Sequence, residues 1–261
     1  MTPHTTSIMV RTARRVYQKK NPRSPTTRRP VQRVRRTALV IAKNISDTSP
    51  TQIKPDLLVT ELAALLHDVL DKKYVSPAEA ADPYAFFSPF FESLNSDWGI
   101  DLISDGRAHQ ITKIIENVSW TTEKRLREAD LLKDWHRECV ELHVVQDADR
   151  LDAIGAFGVM RCVAYSAITN RRVYLSAYQC LLFEPMYRAL HIPNNDPTYK
   201  DSAIEHFHEK LLHIRDRLKT EPGRKMGEKR HKLVRVLPKG NTHGSLLPVG
   251  SFYMIFRCWN S

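Results

Sequence analysis

The chain has 261 residues, of which 42% are apolar and 26% charged, so it can bury a sizeable core and is too apolar to be a disordered protein. Its 9 glycines are few beside its Leu, Ala, Lys, Arg and Glu, which favours helices over sheets, and no apolar run reaches the roughly 20 residues of a membrane span. Residues 1–43 contain twelve Lys or Arg and no Asp or Glu, so they carry a charge of +12. The net charge of the whole chain is +11, which leaves −1 for residues 44–261. The high pI therefore does not indicate that residues 44–261 bind nucleic acid.

Residues 1–30 form a basic segment that is rich in Arg, Ser and Thr. This composition is typical of a mitochondrial transit peptide. The alternative is a disordered basic arm that binds RNA or anionic surfaces. The four cysteines are widely spaced and include no C-x-x-C pair, which favours reduced thiols. We therefore expect an intracellular protein, cytoplasmic, or mitochondrial where residues 1–30 act as a transit peptide.

After the basic segment, apolar residues repeat at helical spacing. A first helix is predicted from residue 31 to about 45, and a second over residues 56–71 after a polar connection that contains proline. Ser76 is a candidate N-cap for the next segment, which two later prolines are expected to break up.

The second half of the chain continues the helical pattern. Residues 107–120 are predicted to form an amphipathic helix, and residues 142–168 a long apolar helix that is entered through a cluster of acids. Two further helical segments are predicted over residues 203–220 and 222–236, with Pro222 and Gly223 between them. The pattern as a whole predicts an all-α protein with one main domain.

The segment ELAALLHDVLDKKY, residues 61–74, places polar groups at the end of the most apolar helix. On a helix that continues to residue 71, His67, Asp68 and Asp71 lie on one side because their spacings are three and four. Imidazole and carboxylate together suit Mn, Fe, Co or Zn. An ordinary helix end, with Asp68 paired to Lys72, is the alternative, since a His-Asp dipeptide alone is a weak signal.

The segment QDADRLDAIGA places Asp147, Asp149 and Asp152 at the predicted start of a helix, where free N–H groups and the helix dipole stabilise acids. This explanation suits Asp147. It suits Asp152 poorly, because an acid deeper in an apolar sequence needs a partner. Leu151 stands at the third acid position of a calcium loop and the required glycine is absent, which excludes such a loop.

Three segments, in this order and spacing, resemble the HD-domain phosphohydrolase superfamily: ELAALLHDVLDKKY, IIENVSW and VVQDADRLDAIGAFGVMRC. The resemblance is closer to small stand-alone members in bacteria and fungi that are related to a bacterial nucleotide pyrophosphohydrolase. HFHEKLLHIRDRLKTEPGRKMGEKRH resembles the closing helices of this branch, so the likeness spans residues 31–165 and 203–233. It implies an all-α HD-domain helical bundle with irregular or disordered ends.

The resemblance also implies a metal site. Relatives bind one divalent ion, for which Mn, Mg, Co or Fe is expected, and the matching ligands here are His67, Asp68 and Asp149. Asp71 matches the position of an acid that assists the attacking water in related enzymes.

Two cations and two further acids complete the expected site. Lys72 and Arg150 are candidates for phosphate contacts, because a fixed cation stabilises developing negative charge. Surface ion pairs with Asp68 and Asp147 are the equally open alternative. Asp147 and Asp152 are expected to support the metal ligands without touching the metal.

One position departs from the family. Relatives carry a metal-binding histidine at the head of the first helix, where this sequence has Pro30, and no histidine lies between His4 and His67. Losing a ligand weakens the expected metal affinity. Two interpretations stay open, a chain that keeps the fold without turnover and a recorded N-terminus that differs from the real one.

The predicted function is metal-dependent hydrolysis of a phosphate ester or anhydride in a small phosphorylated substrate, with a nucleotide as the first candidate. The alternative is an HD-fold binding protein without turnover. Nucleic acid is expected to bind only through residues 1–30. The helical bundle is predicted over residues 31–235, with a divergent segment at 166–202 and an irregular tail at 236–261.

Overall fold

The computed structural model describes residues 28–48, 54–71, 75–168 and 203–239. The predictions for the basic arm up to residue 27, for Lys72, for residues 169–202 and for the tail after residue 239 lie outside these ranges. The described residues form helices and no strand, as predicted. The helices are α1 (Arg28–Thr48), α2 (Leu57–Leu66), α3 (Pro77–Ala80), α4 (Pro83–Trp98), α5 (Arg107–Asn117), α6 (Trp120–Glu128), α7 (Asp134–Glu138), α8 (Val140–Ala153), α9 (Gly155–Ile168), α10 (Ala203–Glu209) and α11 (Glu221–Lys239).

The helices group into two compact units. The first comprises the chain up to Asp152 together with Leu218–Met226, and the second comprises Ala153–Arg217 and the chain from Gly227 onward. The residues discussed as a candidate site below all belong to the first unit. Among the described helices, none combines the length and the apolar composition of a membrane span.

The core of the first unit is built from the apolar faces that the sequence predicts. Helix α1 packs on α2, and α2 on α5. Asp56 caps α2, since its Oδ1 accepts hydrogen bonds from the N–H groups of Leu58 and Val59 at 2.8 and 3.1 Å. Among the described residues, the largest fully buried side chains come from α1, α2, α4, α5, the loop before α5, and α8: Ile41, Leu62, Leu65, Leu66, Phe87, Phe91, Leu94, Leu102, Ile111, Ile114 and Leu142.

Helix α2 is shorter than the predicted span of residues 56–71. It ends at Leu66, and His67 is its C-cap. The chain then continues in turns, in which Val69 N–H donates to Leu66 O and Asp71 N–H donates to Asp68 O. The helical spacing argument that placed Asp71 on the same side as His67 and Asp68 is therefore wrong.

Helix α4 corrects a second prediction. Ser76 caps α3 in a capping box with Glu79, and the segment divides before Pro83, both as expected, but Pro89 lies inside α4 and does not break it. A proline within a helix removes one backbone hydrogen bond. Burial of Phe87, Phe91 and Leu94 on one face of α4 outweighs this loss.

The long helix predicted over residues 142–168 is two helices, α8 and α9. Gly155 has φ = +80°, in the left-handed region that favours glycine, and the chain turns there. The segment predicted as one helix over 203–220 is also divided, into α10 and two short 3₁₀ turns, Leu211–His213 and Arg215–Arg217.

Candidate metal centre

The end of α2 fixes the orientation of the His67 ring. Its Nδ1 lies 2.8 Å from the carbonyl oxygen of Ala64. A carbonyl only accepts hydrogen bonds, so Nδ1 carries the proton that is donated there. In the neutral ring Nε2 therefore holds the lone pair, which is the state that binds a metal.

Nε2 of His67 faces a carboxylate from a distant part of the chain. Its distance to Oδ1 of Asp149, in the middle of α8, is 3.7 Å, and the side chain of Asp149 is 39% exposed. Two ligand atoms of the same metal ion, each about 2.1 Å from it, lie at about this separation from each other. The pair therefore fits two ligands of a single divalent ion.

The negative charge of the carboxylates around His67 also favours the binding of a cation. Burial by itself lowers the pKa of His67, but the carboxylates of Asp149 and Asp68 outweigh burial and raise it to about 9. Acidic groups that stabilise a proton on this ring also stabilise a cation in its place.

Within the described residues, no three His, Cys, Asp or Glu side chains are assembled as a complete metal site. The structure brings His67 and Asp149 together, and it places Asp68 close enough to His67 for their charges to interact. The direct ligand role of Asp68 and the water-assisting role of Asp71 stay predictions.

Asp152, one turn after Asp149 on α8, is buried and pairs with Arg33 of α1. Nε of Arg33 lies 2.7 Å from Oδ1 and Nη2 lies 3.1 Å from Oδ2, so the contact is bidentate. Such a fork fixes two side chains in one geometry. It ties the first helix to the helix that carries Asp149.

Asp147 is fully buried, and its place in the fold differs from the predicted one. It lies in the middle of α8, so the predicted helix start at Asp147 is wrong. Its carboxylate accepts hydrogen bonds from the N–H groups of Lys219 and Thr220 and from Oγ1 of Thr220, at 2.7–3.1 Å. It thus holds the turn that precedes α11, and burial raises its pKa.

Gly223, in the first turn of α11, lies against this carboxylate. Its N–H donates to Oγ1 of Thr220 at 3.0 Å. A Cβ at position 223 would overlap Oδ2 of Asp147 and Oγ1 of Thr220. Glycine allows the backbone to approach the carboxylate this closely.

Glu123 of α6 is a functional candidate that sequence analysis missed. Its buried carboxylate pairs with Arg150, and it lies 3.2 Å from both Nζ of Lys219 and Nη2 of Arg127. Burial alone raises the pKa of Glu123, and the charges of Arg150 and Lys219 outweigh it and hold the pKa below its ordinary value. Arg127 follows four residues later on α6, at the spacing of a helical ion pair, but nothing in the sequence near Glu123 indicates Arg150 or Lys219 as partners.

The pairing with Glu123 changes the interpretation of Arg150. Its side chain is only 2% exposed, and its guanidinium also lies over the ring of Trp120. The surface ion pair, which the sequence left open as an alternative, is excluded, because Arg150 is an interior cation.

Helix α8 therefore has two polar faces. Asp149 and Asp152, three residues apart, share the face toward His67 and Arg33, and Asp147 and Arg150 share another. The first face carries the candidate metal ligand Asp149. The second holds α8 in place.

No family model matches the sequence. The uncharacterized protein YpgQ of Bacillus subtilis is 28% identical over 183 residues, which cover 68% of each chain. Its crystal structure in complex with ADP has a TM-score of 0.54 to this chain at 23% identity, and covers 90% of this chain and 98% of YpgQ.

A crystal structure from Bacillus thuringiensis, described as an HD-superfamily hydrolase, has a TM-score of 0.58 at 20% identity. The alignment covers 99% of this chain and 98% of the hydrolase. These likenesses confirm the predicted all-α bundle. At these identities the structures show the fold alone, and the site rests on the geometry of His67 and Asp149.

Proposed function

This chain has the fold of the HD-domain superfamily, and we propose that it is a metal-dependent phosphohydrolase that acts on a nucleotide. The observation that carries the proposal is the approach of His67 Nε2 to Asp149 Oδ1 at 3.7 Å. An imidazole lone pair and a carboxylate at this separation suit a divalent transition metal such as Mn or Co. The ADP complex of YpgQ supports a nucleotide as the ligand class.

Each residue has a separate task in this proposal. The Ala64 carbonyl orients the His67 ring through Nδ1, so that Nε2 is presented to the ion. Asp149 and Asp68 supply negative charge to hold the ion. Asp71 accepts the proton of the attacking water. A divalent ion held by His67 and Asp149 would supply the Lewis acid that lowers the pKa of a bound water and polarises the phosphate.

Phosphate release is the direct test. We expect the purified chain, with excess Mn²⁺, to hydrolyse at least one member of a panel of nucleoside mono-, di- and triphosphates, and chelation to abolish the reaction. Binding of ADP with Mn²⁺ but without any hydrolysis across the panel would instead support the alternative, an HD-fold binding protein without turnover.

The alternative of a binding protein without turnover is retained because Pro30 stands where relatives carry a metal-binding histidine. In the structure Pro30 is the third residue of α1 and is half-buried, so position 30 is inside the first helix, at its N-terminal turn. A proline supplies no metal ligand. Mn²⁺ affinity is therefore expected to be weaker than in a site with a further imidazole.

The Pro30→His variant tests this alignment. We expect its dissociation constant for Mn²⁺ to fall by about tenfold or more, since even supporting residues change metal affinity by 10–100-fold. The first turn of a helix has N–H groups without intrahelical partners, so replacing proline there costs no backbone hydrogen bond. Isothermal titration with Mn²⁺ gives the measurement. Pro30→Ala is the control, and equal affinities of the two variants would show that position 30 does not face the site.

A further inference from the structure

The candidate metal centre is rich in negative charge. Asp68 and Asp149 both act on His67, and Asp152 lies one turn from Asp149 on the same face of α8. Carboxylates repel a phosphate group at these distances, even where one divalent ion offsets part of their charge. A phosphate substrate therefore needs a fixed cation beside this face of α8.

The cations predicted from the sequence do not fill this place in the described structure. Arg150 is buried on another face of α8, where Glu123 holds it. Lys72 lies outside the described residues. Among the described residues, Arg33 is a cation on the metal-facing side of α8, where it pairs with Asp152, and no sequence pattern singled it out.

Arg33 is bound to Asp152, which lies three residues after Asp149 on α8. Its guanidinium is fixed on Asp152, and the Cβ atoms of residues three apart on a helix are about 5–6 Å from each other. The side chain is 36% exposed, so an anion can reach it from solvent.

We propose that Arg33 binds the phosphate group of the substrate at the candidate metal centre. This assignment rests on the proposed function, since it needs a phosphate ligand at the site. A guanidinium matches phosphate oxygens with two parallel hydrogen bonds. Asp152 holds the side chain of Arg33 in place before the substrate arrives, so that little conformational entropy is lost on binding.

The test compares Arg33→Gln with Arg33→Lys by titration calorimetry. The probes are ADP and inorganic pyrophosphate, each in the presence of saturating Mn²⁺. We expect Arg33→Gln to weaken the binding of both probes by about tenfold or more, the usual effect of losing a hydrogen bond to a charged group. Arg33→Lys keeps the charge without the fork, and its affinities should lie between those of Arg33→Gln and the wild type.

Arg35→Gln is the matched control. Arg35 is two residues away on the same helix, pairs with buried Glu61, and is 15% exposed. At equal folded fractions it should leave the affinities for ADP and pyrophosphate unchanged. We also expect Arg33→Gln to retain its affinity for Mn²⁺, because no metal ligand is removed.

Each contrary result has one meaning. Unchanged ADP affinity in Arg33→Gln overturns the assignment and leaves the proposed function intact. A parallel loss of Mn²⁺ affinity also overturns it, because Arg33 would then act by docking α1. A loss for ADP without a loss for pyrophosphate overturns it as well, because Arg33 would then contact the nucleoside and not the phosphate. A wild-type chain that binds Mn²⁺ but neither probe overturns the proposed function, and the assignment with it.

Discussion

The Asp149→Ala variant is expected to lose Mn²⁺ binding by at least about 100-fold and to show no metal-dependent hydrolysis, because a direct ligand contributes more than the residues that support it. The side chain is 39% exposed, so its removal leaves no buried cavity and the protein should stay folded. Titration with Mn²⁺ and a phosphate-release assay give the two measurements.

A metal-free measurement checks the same contact independently. Asp149 raises the pKa of His67, which stands at about 9, so its removal should lower that pKa, and the ring should lose its proton at a lower pH. A pH titration of the His67 ring signals by NMR follows this change. Asp134→Ala, at a surface acid whose side chain is 86% exposed, is the control. An unchanged pKa of His67 in Asp149→Ala would mean that the two side chains do not meet.

The Glu123→Ala variant is expected to lower the free energy of unfolding by about 3–5 kcal/mol, the usual cost of removing one partner from a buried ion pair. It would leave Arg150 and Lys219 inside the protein without their shared carboxylate. The pKa of Glu123 lies below its ordinary value, so this stabilisation is present at neutral pH and is lost as acid protonates the carboxyl. Urea denaturation at several pH values gives the measurement.

Glu128→Ala supplies a control on the same helix, since Glu128 is 65% exposed and pairs with Lys124 at 3.7 Å. An exposed pair contributes about 0–1 kcal/mol. Combining Glu123→Ala with Lys219→Met should cost less than the sum of the two single changes, because one buried cation no longer lacks its partner. Equal stabilities of Glu123→Ala and Glu128→Ala would show that the cluster around Glu123 contributes nothing.

Periodicity in the sequence predicted the helices well and their ends poorly. The apolar spacing before Leu66 and around Ile111 and Ile114 is a local property, and burial of those side chains follows it directly. The end of α2 at Leu66 and the passage of α4 through Pro89 depend instead on what the surrounding helices bury. A single sequence does not contain that information.

The candidate site also contains residues that the sequence motifs identified and residues that only the structure reveals. The two motifs that contain His67 and Asp149 were recognisable in the sequence, and the structure places these two side chains opposite each other. The partners of Asp147 are 72 and 73 residues away in sequence, and those of Asp152 are 119 away. Contacts of this kind have no periodic signal, so Arg33 and Glu123 became visible only in three dimensions.

The close approach of Gly223 to Asp147 has an evolutionary consequence. While position 147 is an acid that holds the Thr220 turn, any side chain at position 223 collides with it. A mutation at 223 is therefore deleterious in this background and becomes acceptable only after the side chains at both 147 and 220 are shortened, since the new Cβ would also overlap Oγ1 of Thr220. Positions 147, 220 and 223 form an epistatic set, and in sequences that descend from this one position 223 should change only where the other two have changed.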